Sequence, residues 1–527
     1  MQDAPRPQRP AASNRGEWIA LVTLFIAASA LFARFSILKH LRLESTGYDL
    51  GIFDQALWHL SRFETPESTI RRVPTIFADH FHPLIALFAP LYWFGDGLKN
   101  LLVAQALVVC SSAFPVFLFC RPRLGARASL AVVFGLLFFW GIVRGLAYDF
   151  HEVALTTPLA AWLLLAFDRA HSGEGKWWPV GLLALAVLLT KEDQGFLIAA
   201  FGAIALLRRE WKIGAPLALV GAAWPFFVMK VLHPLFSPSA YSFWVYGHIA
   251  PSMDGVILYA LRSPIAFAKL LVSPAAKRIL LVRLLLPFGL FALVSPYALL
   301  LLPNLLLRLL SGTPQHALET NHYTLPIAPL LAMAVADGLG RLLARFPALS
   351  RRELAYGAAM LLVGWTGLET RRYGLLESFK PSWSALVDER APMRTALQAI
   401  PKEATVAATS SLVPHLSQRA ELYQMFWSVD VPPVDYVAVR DGDYYADDAE
   451  VWVALRGDYD RIAASDGVRV YRRRSGADPA YARLKARSFD DFQKYVEIAL
   501  RGEIPHTPLT PRLKDPGSSA EPLVSER

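Results

Sequence analysis

The chain alternates long apolar runs with short polar segments from near its N-terminus to about residue 370. A helix needs roughly 20 apolar residues to cross the hydrocarbon core of a bilayer. We therefore predict an all-α polytopic membrane protein with about eleven transmembrane helices, within a transmembrane domain of residues 17–370. The predicted spans are residues 18–38, 98–120, 128–147, 153–167, 178–190, 196–207, 213–231, 279–294, 296–310, 325–343 and 354–368.

One apolar run, residues 83–94, is too short to cross the bilayer. We interpret it as an interfacial or re-entrant helix. If it does not cross, Arg121, Arg123 and Arg127 fall on the cytoplasmic side, where basic residues are in excess. The N-terminus is then cytoplasmic, and the first outer loop is 39–97. A further surface helix is expected near 256–271.

Beyond residue 371 the pattern changes to short β-branched runs. These runs are EATVAATSS, VDYVAVR, AEVWVALRG and GVRVYRRR, and helix-like pieces separate them. Such runs indicate strands, so we predict a small soluble extracytoplasmic α/β domain over 371–475. The polar ends, 1–16 and 476–527, are predicted to be mostly disordered because they hold few residues that could form a core.

Composition narrows the function classes. Hydrophobic residues make up 54% of the chain and charged residues only 18%, whereas soluble domains carry about 25% charged residues. The formal net charge is +9, but the arginines cluster between apolar runs, so we expect membrane lipids and no nucleic acid as partners. Cys110 and Cys120 lie in one apolar run and indicate neither a disulfide framework nor a metal site.

Acids and imidazoles concentrate in the segments predicted to lie on the outer side. A charge at the bilayer centre costs roughly 2.5–3.5 kcal/mol, so these groups should face water or a polar cavity. Carboxylates act as general bases or cation ligands, and imidazole and ammonium groups bind phosphate. The main candidates are Asp49, Asp54, Asp79, His80, His82, Asp149, His151, Glu152 and Lys191, and the weaker ones are Glu192, Asp193, His322 and Tyr323.

Each cluster also has a purely structural interpretation. Asp49 and Asp54 could form the polar face of a loop helix. Asp79 and the segment 148–152 stand where a helix needs an N-cap. Lys191 could extend to the membrane interface beside a local ion pair. The coincidence of all these groups on one predicted face favours a functional interpretation.

Several motifs follow one another along the chain: YDLGIFDQALW, DHFHPLIALFAPLYW, YDFHEVAL, LTKEDQG, LLPNLLLRLLS, NHYTLPIAPLL and VPHLSQRAELY. Together they resemble a family of prokaryotic polytopic membrane proteins known only as a domain of unknown function, from about residue 34 to about 440. By the order of its loops, that family resembles the C-type glycosyltransferase (GT-C) fold. Protein O-mannosyltransferases and lipid A aminoarabinose transferases have this fold.

This resemblance implies a membrane glycosyltransferase at the outer face of the cytoplasmic membrane. It would transfer a sugar from a polyprenyl-phosphate donor to an acceptor hydroxyl on a glycan, a lipid or a protein. Asp49 would deprotonate the acceptor, with Asp54 as the second choice. His80, His82 and Lys191 would bind the phosphate of the donor.

The remaining main candidates would hold a divalent cation (Mg, Mn or Zn) or orient the phosphate; they are Asp79, Asp149, His151 and Glu152. Whether a metal is needed stays open. The chain departs from the GT-C pattern at His80, where Lys is usual, and at Glu192, where Gly is usual. Two alternatives also stay open: a transporter or lipid-handling protein, and a non-catalytic scaffold or sensor.

Overall fold

The computed structural model describes residues 14–237, 244–288, 290–319, 321–346, 375–425, 431–443, 445–465 and 467–474. The predicted eleventh span (354–368), the predicted C-terminal tail (476–527) and residues 1–13 lie outside the described residues. The chain divides into two compact units, Met1–Ala391 and Pro392–Arg527.

Helices dominate the first unit. The α-helices of the described residues are α1 (Arg15–Leu41), α2 (Ile52–Ser61), α3 (Gly97–Cys110), α4 (Ala113–Leu124), α5 (Ala126–Leu137), α6 (Trp140–Tyr148), α7 (Val153–His171), α8 (Trp178–Leu188), α9 (Gly195–Leu207), α10 (Trp211–Phe227), α11 (His233–Phe236), α12 (Met253–Arg262), α13 (Pro264–Val272), α14 (Ala275–Leu285), α15 (Leu302–Leu310), α16 (Ala328–Arg345), α17 (Pro381–Glu389), α18 (Ala391–Ala396) and α19 (Ala446–Arg456). The longest 3₁₀ helices are Pro83–Trp93 and Pro296–Leu301.

Five helical stretches are long and apolar enough to cross a membrane, or six if the bent pair α12–α13 counts as one span. The five are Arg15–Leu41, Gly97–Leu124, Ala126–Tyr148, Val153–His171 and Trp211–Phe236. They coincide with the predicted first, second, third, fourth and seventh spans to within a few residues. The other described spans correspond to shorter or less apolar helices, so the count of eleven stays a prediction.

Close backbone contact joins α9 to α10. A Cβ at Gly202 would come within 2.2 Å of the backbone nitrogen of Ala218, and a Cβ at Gly221 within 2.3 Å of that of Ala199. Glycine is therefore required at both positions. Small residues that let two backbones approach are typical of helix pairs in membranes.

The prediction of one continuous surface helix near 256–271 is wrong. Two helices, α12 and α13, replace it and meet at an angle of 111°. Pro264 begins α13, and the residue before a proline is disfavoured in the helical conformation. The first helix therefore ends at Arg262, before the Ser263–Pro264 pair.

An ion-pair network joins several helices at one end. The sequence predicts that this end lies on the cytoplasmic side. Arg121 pairs with Glu17 at 2.8 Å, and Arg123 pairs with Asp168 at 2.7 Å and with Asp337 at 3.3 Å. These contacts link α1, α4, α7 and α16. The candidate site residues of α1–α2, α6–α7 and α8–α9 lie in loops at the other ends of these helices.

The Pro83–Trp93 helix agrees with the prediction of a segment that does not cross. It contains 11 residues and an internal proline, Pro90. It buries Ile85 and Phe88 but leaves Leu87 66% exposed. Such a helix has one apolar face against the protein and another on its outside.

The first unit extends beyond the predicted domain boundary at 371. The Trp383 ring of α17 packs against Phe35 of α1, with ring centroids 5.2 Å apart. The Arg42 guanidinium lies 3.9 Å above the same ring. Aromatic and cation–π contacts of this kind attach residues 375–391 to the end of α1.

The second unit contains a five-stranded mixed sheet, as the prediction of a small C-terminal α/β domain requires. Its strands are β1 (Val406–Ala408), β2 (Leu422–Gln424), β3 (Tyr436–Arg440), β4 (Tyr459–Ser465) and β5 (Val468–Arg473), in the order β2-β1-β3-β5-β4. β1 pairs in parallel with β2 and β3, whereas β5 pairs antiparallel with β3 and β4.

The predicted strand AEVWVALRG is wrong, because this segment lies in α19. Its buried residues Ala449, Trp452 and Val453 are three and four positions apart, which is the spacing of one helix face. Asp447 and Asp448 lie in the first helical turn, where carboxylates interact favourably with the helix dipole.

Candidate active site

Asp49 lies in a strained turn between α1 and α2, within Gly47–Gly51. Its φ of 69° and ψ of −76° are those of the classic γ-turn, which is rare and strained. The Thr46 hydroxyl donates a hydrogen bond to the Tyr48 carbonyl oxygen at 2.7 Å and braces the turn. Backbone strain of this kind collects at functional sites. Asp49 as a residue is partly buried.

Two histidines meet Asp49 from distant loops. One carboxylate oxygen of Asp49 and one ring nitrogen each of His151 and His322 all lie within 4.8 Å of one another. The two imidazole rings stack, with centroids 3.3 Å apart and planes 21° apart. Tyr148 donates a hydrogen bond to the Asp49 carboxylate. We refer to Asp49, His151 and His322 as the Asp49–His151–His322 group.

Arg308 holds the loop that carries His322. Its guanidinium donates to the carbonyl oxygens of His316 at 2.9 Å and Leu318 at 3.0 Å. It also donates to the Thr324 hydroxyl at 2.8 Å. Three hydrogen bonds from a buried side chain fix the backbone on both sides of His322.

Glu152 connects the group to Lys191. Its Oε2 lies 2.6 Å from Nδ1 of His151, and its Oε1 accepts a hydrogen bond from Lys191 Nζ at 2.7 Å. Burial alone would raise the pKa of Glu152, but the charges of His151 and Lys191 hold it well below its usual range. Burial would lower the pKa of Lys191, yet Glu152 and Asp193 raise it. Both groups are therefore charged at neutral pH.

The next residue, Glu192, carries the network to the first loop. Its Oε1 lies 2.6 Å from Nδ1 of His80, and its Oε2 accepts a hydrogen bond from the Phe81 amide at 3.1 Å. Burial and Lys191 act to lower the pKa of His80, but Glu192 outweighs them and raises it. Glu192 therefore favours the protonated form of His80.

Asp149 binds the end of α1. Its Oδ1 lies 3.0 Å from Lys39 Nζ, and its Oδ2 accepts hydrogen bonds from the Thr46 amide at 3.0 Å and hydroxyl at 3.1 Å. Gln105 donates to the Asp149 carbonyl oxygen at 3.0 Å. Asp149 therefore fixes the loop before Asp49 against the loop that carries His151.

Asp79 and His82 lie in other surroundings. Asp79 pairs with Arg71 at 2.8 Å. His82 is 1% exposed, packs beside Phe53 and Phe77, and has no hydrogen-bond partner among the described residues. Burial lowers the pKa of His82 to about 4, so its ring is neutral at pH 7.

The other three candidates have different partners. Asp54 is fully buried in α2 and accepts a hydrogen bond from the Tyr92 hydroxyl at 2.6 Å. Asp193 accepts one from the next residue at 2.8 Å. The Tyr323 ring lies beside His322, with centroids 4.4 Å apart. Only Tyr323 of these three contacts a member of the Asp49–His151–His322 group in the contacts described here.

The capping and snorkelling interpretations do not match the contacts. Glu152 stands at the N-cap of α7, but its side chain makes no cap hydrogen bond. The helix after Asp79 begins at Pro83, and its N-cap residue is His82, again without a side-chain cap. Lys191 pairs with a carboxylate 39 positions away rather than with a local one.

Sequence reasoning missed four partners of the candidate residues: Lys39, Thr46, Arg71 and Tyr92. Lys39 lies at the end of a span, where a lysine is usual, so its sequence position does not indicate a role in the site. Tyr92 lies in an apolar run, where a tyrosine is unremarkable.

A cavity of about 220 Å³ lies near the Asp49–His151–His322 group. It is lined by Lys39, Thr46, Arg144, Ala147, Tyr148 and Asp149.

The family model described as "Predicted membrane protein (DUF2079)" matches residues 39–467. This match covers most of the chain and every candidate residue. The chain belongs to that family. The resemblance expected from the motifs is thereby confirmed at the level of the family, and no curated protein matches the chain.

Solved structures that resemble the chain include two of ArnT from Cupriavidus metallidurans. One, bound to undecaprenyl phosphate, is 13% identical, covers 88% of this chain and 100% of its own, and has a TM-score of 0.48. The other, in the apo state, is 14% identical, covers 87% of this chain and 98% of its own, and has a TM-score of 0.47.

Proposed function

We propose that this membrane protein is a GT-C-like glycosyltransferase. It transfers a sugar from a polyprenyl-phosphate donor to an acceptor hydroxyl at the outer face of the cytoplasmic membrane. The observation that carries the proposal is the position of Asp49, which lies in a strained turn and whose carboxylate contacts Tyr148 and two histidines.

Asp49 has the properties of a general base. Burial of its carboxyl raises its pKa, against the opposing charge of His151. A base whose pKa lies closer to the working pH accepts a proton more effectively. In the proposed reaction the Asp49 carboxylate takes the proton of the acceptor hydroxyl. The acceptor oxygen then bonds to the anomeric carbon of the sugar as the bond from that carbon to the phosphate oxygen breaks.

Lys191 and His80 supply positive charge for the departing polyprenyl phosphate. Lys191 uses one of its three N–H donors on Glu152 in the contacts described. Glu192 raises the pKa of His80 and so favours its cationic form. Fixed charges placed where negative charge develops lower the barrier of a transfer reaction. The cavity lined by Tyr148 and Asp149 offers space for part of a substrate, and Tyr148 also donates a hydrogen bond to Asp49.

The test compares two conservative variants of the full chain in lipid nanodiscs. The assay follows release of polyprenyl phosphate from a panel of polyprenyl-phosphate hexoses and pentoses, with membrane glycolipid extracts as acceptors. Asp49→Asn should lower transfer by about 10²–10⁴-fold. Asn tolerates a positive φ nearly as well as Asp, so the variant should fold.

Asp96→Asn is the matched control. Asp96 caps α3 by accepting from the Lys99 amide, and asparagine is an equally good N-cap, so this variant should transfer like the unmodified chain. Transfer by Asp49→Asn at the rate of the control would remove Asp49 from the reaction and overturn the proposal.

A further inference from the structure

The Asp49–His151–His322 group has the composition of a metal site. Its three ligand atoms come from the first loop, the α6–α7 loop and the loop after α15, yet all lie within 4.8 Å of one another. His151 and His322 are 6% and 5% exposed. Two stacked imidazoles beside a carboxylate repel each other if both are protonated, and they converge without penalty if both nitrogens bind one cation.

The groups around these side chains match the outer shell of a metal site. Histidines that bind metals almost always direct their other ring nitrogen at a carboxylate or carbonyl. Nδ1 of His151 lies 2.6 Å from Oε2 of Glu152, a close charge contact without hydrogen-bond geometry, and Lys191 anchors Glu152 in turn. Asp49 receives a hydrogen bond from Tyr148. Neighbouring side chains therefore contact both ligands: Glu152 lies against His151 and Tyr148 against Asp49.

His322 supplies an independent observation. Its Nδ1 is buried and has no hydrogen-bond partner among the described residues. A buried polar atom without a partner costs about 1–3 kcal/mol. Arg308 nevertheless fixes the backbone on both sides of His322. The loop therefore holds His322 in a fixed position, although its Nδ1 makes no hydrogen bond to the described residues.

We propose that Asp49, His151 and His322 bind one Zn²⁺ ion. Mg²⁺ takes oxygen ligands in a near-ideal octahedron and usually keeps several waters. Imidazole instead suits zinc and its neighbours. Two histidines and one carboxylate are a known ligand set of catalytic zinc, which leaves the fourth position for water or substrate.

The ion gives the site a role that rests on the proposed glycosyl transfer. A hydroxyl bound at the open position loses its proton more easily, because zinc lowers the pKa of a bound oxygen. One carboxylate oxygen of Asp49 would bind the ion, and the other would accept the proton of that hydroxyl. Zinc binding itself does not depend on that reaction and can be measured without it.

The experiment measures metal content of the full chain in nanodiscs after incubation with Zn²⁺, Mn²⁺ or Mg²⁺ and dialysis. About one Zn²⁺ per chain is expected. Asp49→Asn, His151→Ala and His322→Ala should each lower zinc affinity at least about tenfold. The control is His316→Ala, since His316 lies in the same loop as His322 but outside the group; it should keep its zinc.

Two further measurements exclude loss of folding as the explanation. Added Zn²⁺ should raise the thermal unfolding midpoint of the unmodified chain, because a ligand that binds only the folded state stabilises it. Co²⁺ in place of zinc should give the visible absorption of a tetrahedral ion, and this absorption should be lost in His322→Ala. A folded, unmodified chain without zinc, a chain that retains Mn²⁺ or Mg²⁺ in preference, or ligand variants with full zinc would overturn the proposal. Bound zinc without sugar transfer would instead refute the transferase and leave the metal site standing.

Discussion

Lys191 Nζ and Glu152 Oε1 lie 2.7 Å apart, although the two residues are 39 positions apart in the chain. The Glu152 side chain is 1% exposed and that of Lys191 13% exposed. The pair stands between the Asp49–His151–His322 group and the His80–Glu192 pair. It therefore couples the proposed proton-accepting side of the site to the proposed phosphate-binding side.

Removal of the lysine should destabilise the protein strongly. Lys191→Met removes one of the two cations that the described residues place beside the buried Glu152 carboxylate and leaves only His151; breaking a buried ion pair costs about 3–5 kcal/mol. The double variant Lys191→Met/Glu152→Gln removes both charges and should regain much of the lost stability. The measurement is the thermal unfolding midpoint in nanodiscs.

Stability and transfer should separate in this series. If Lys191 supports the leaving phosphate, the double variant stays inactive even where its unfolding midpoint recovers. Recovery of both quantities would limit Lys191 to a structural role. Equal midpoints for the unmodified chain and Lys191→Met would contradict the ion pair itself.

The apolar spans were predictable because bilayer thickness dictates their length. Arg15–Leu41 and Ala126–Tyr148 differ from their predicted spans by three residues or fewer at each end. Short helices such as Trp178–Leu188 are less informative, since a run of this length also suits a buried helix. The segment 449–457 is predicted as a strand because Val451, Trp452 and Val453 favour strands locally, whereas tertiary burial selected the helix.

The candidate site was predictable in its residues but not in its contacts. Asp49 and His151 were found because charged groups beside spans are unusual. His322 ranked low because a single loop histidine carries no local signal. Its stacking on His151 depends on Arg308 and the fold, and no spacing along the chain reveals that. The same holds for the Lys39–Asp149 pair, which joins residues 110 positions apart.

His82 should make the protein sensitive to acid. Its pKa is about 4 in the folded chain, because burial disfavours the charged ring, and about 6.5 when unfolded. Between these values the unfolded chain binds more protons, so stability falls as the pH drops from 6.5 to 4. The loss from this residue should approach about 3 kcal/mol.

The variant His82→Phe isolates this contribution. Phenylalanine is apolar, does not titrate and suits the surroundings of Phe53 and Phe77. Unfolding midpoints from pH 4 to pH 7 should therefore decline less for the variant than for the unmodified chain. Parallel curves would show that His82 is not the neutral buried group described here. Transfer measured at pH 7 would show in addition whether His82 contacts the phosphate.

Arg123 should be essential for stability at the opposite end of the helices. It pairs with Asp168 and Asp337. Arg123→Ala leaves Asp168 with only the Tyr297 hydroxyl among the described residues, whereas Asp337 keeps its pair with Arg341, so the variant should cost about 3 kcal/mol, the lower end of the range for a broken buried pair. The control Arg62→Ala removes an exposed pair with Glu64 and should cost less than about 1 kcal/mol. Comparable unfolding midpoints for the two variants would argue against the network.

Asp54 was the second choice for the general base, and its contacts argue against that role. It is fully buried and its Oδ1 is occupied by the Tyr92 hydroxyl, so an acceptor hydroxyl cannot reach it as it can the partly exposed Asp49. Asp54→Asn keeps an oxygen that accepts this hydrogen bond and should retain most of the transfer rate. Tyr92→Phe should instead cost about 1–3 kcal/mol of stability, because it removes a hydrogen bond to a buried carboxylate. Transfer lost in a normally folded Asp54→Asn, with transfer kept in Asp49→Asn, would exchange the roles of the two aspartates.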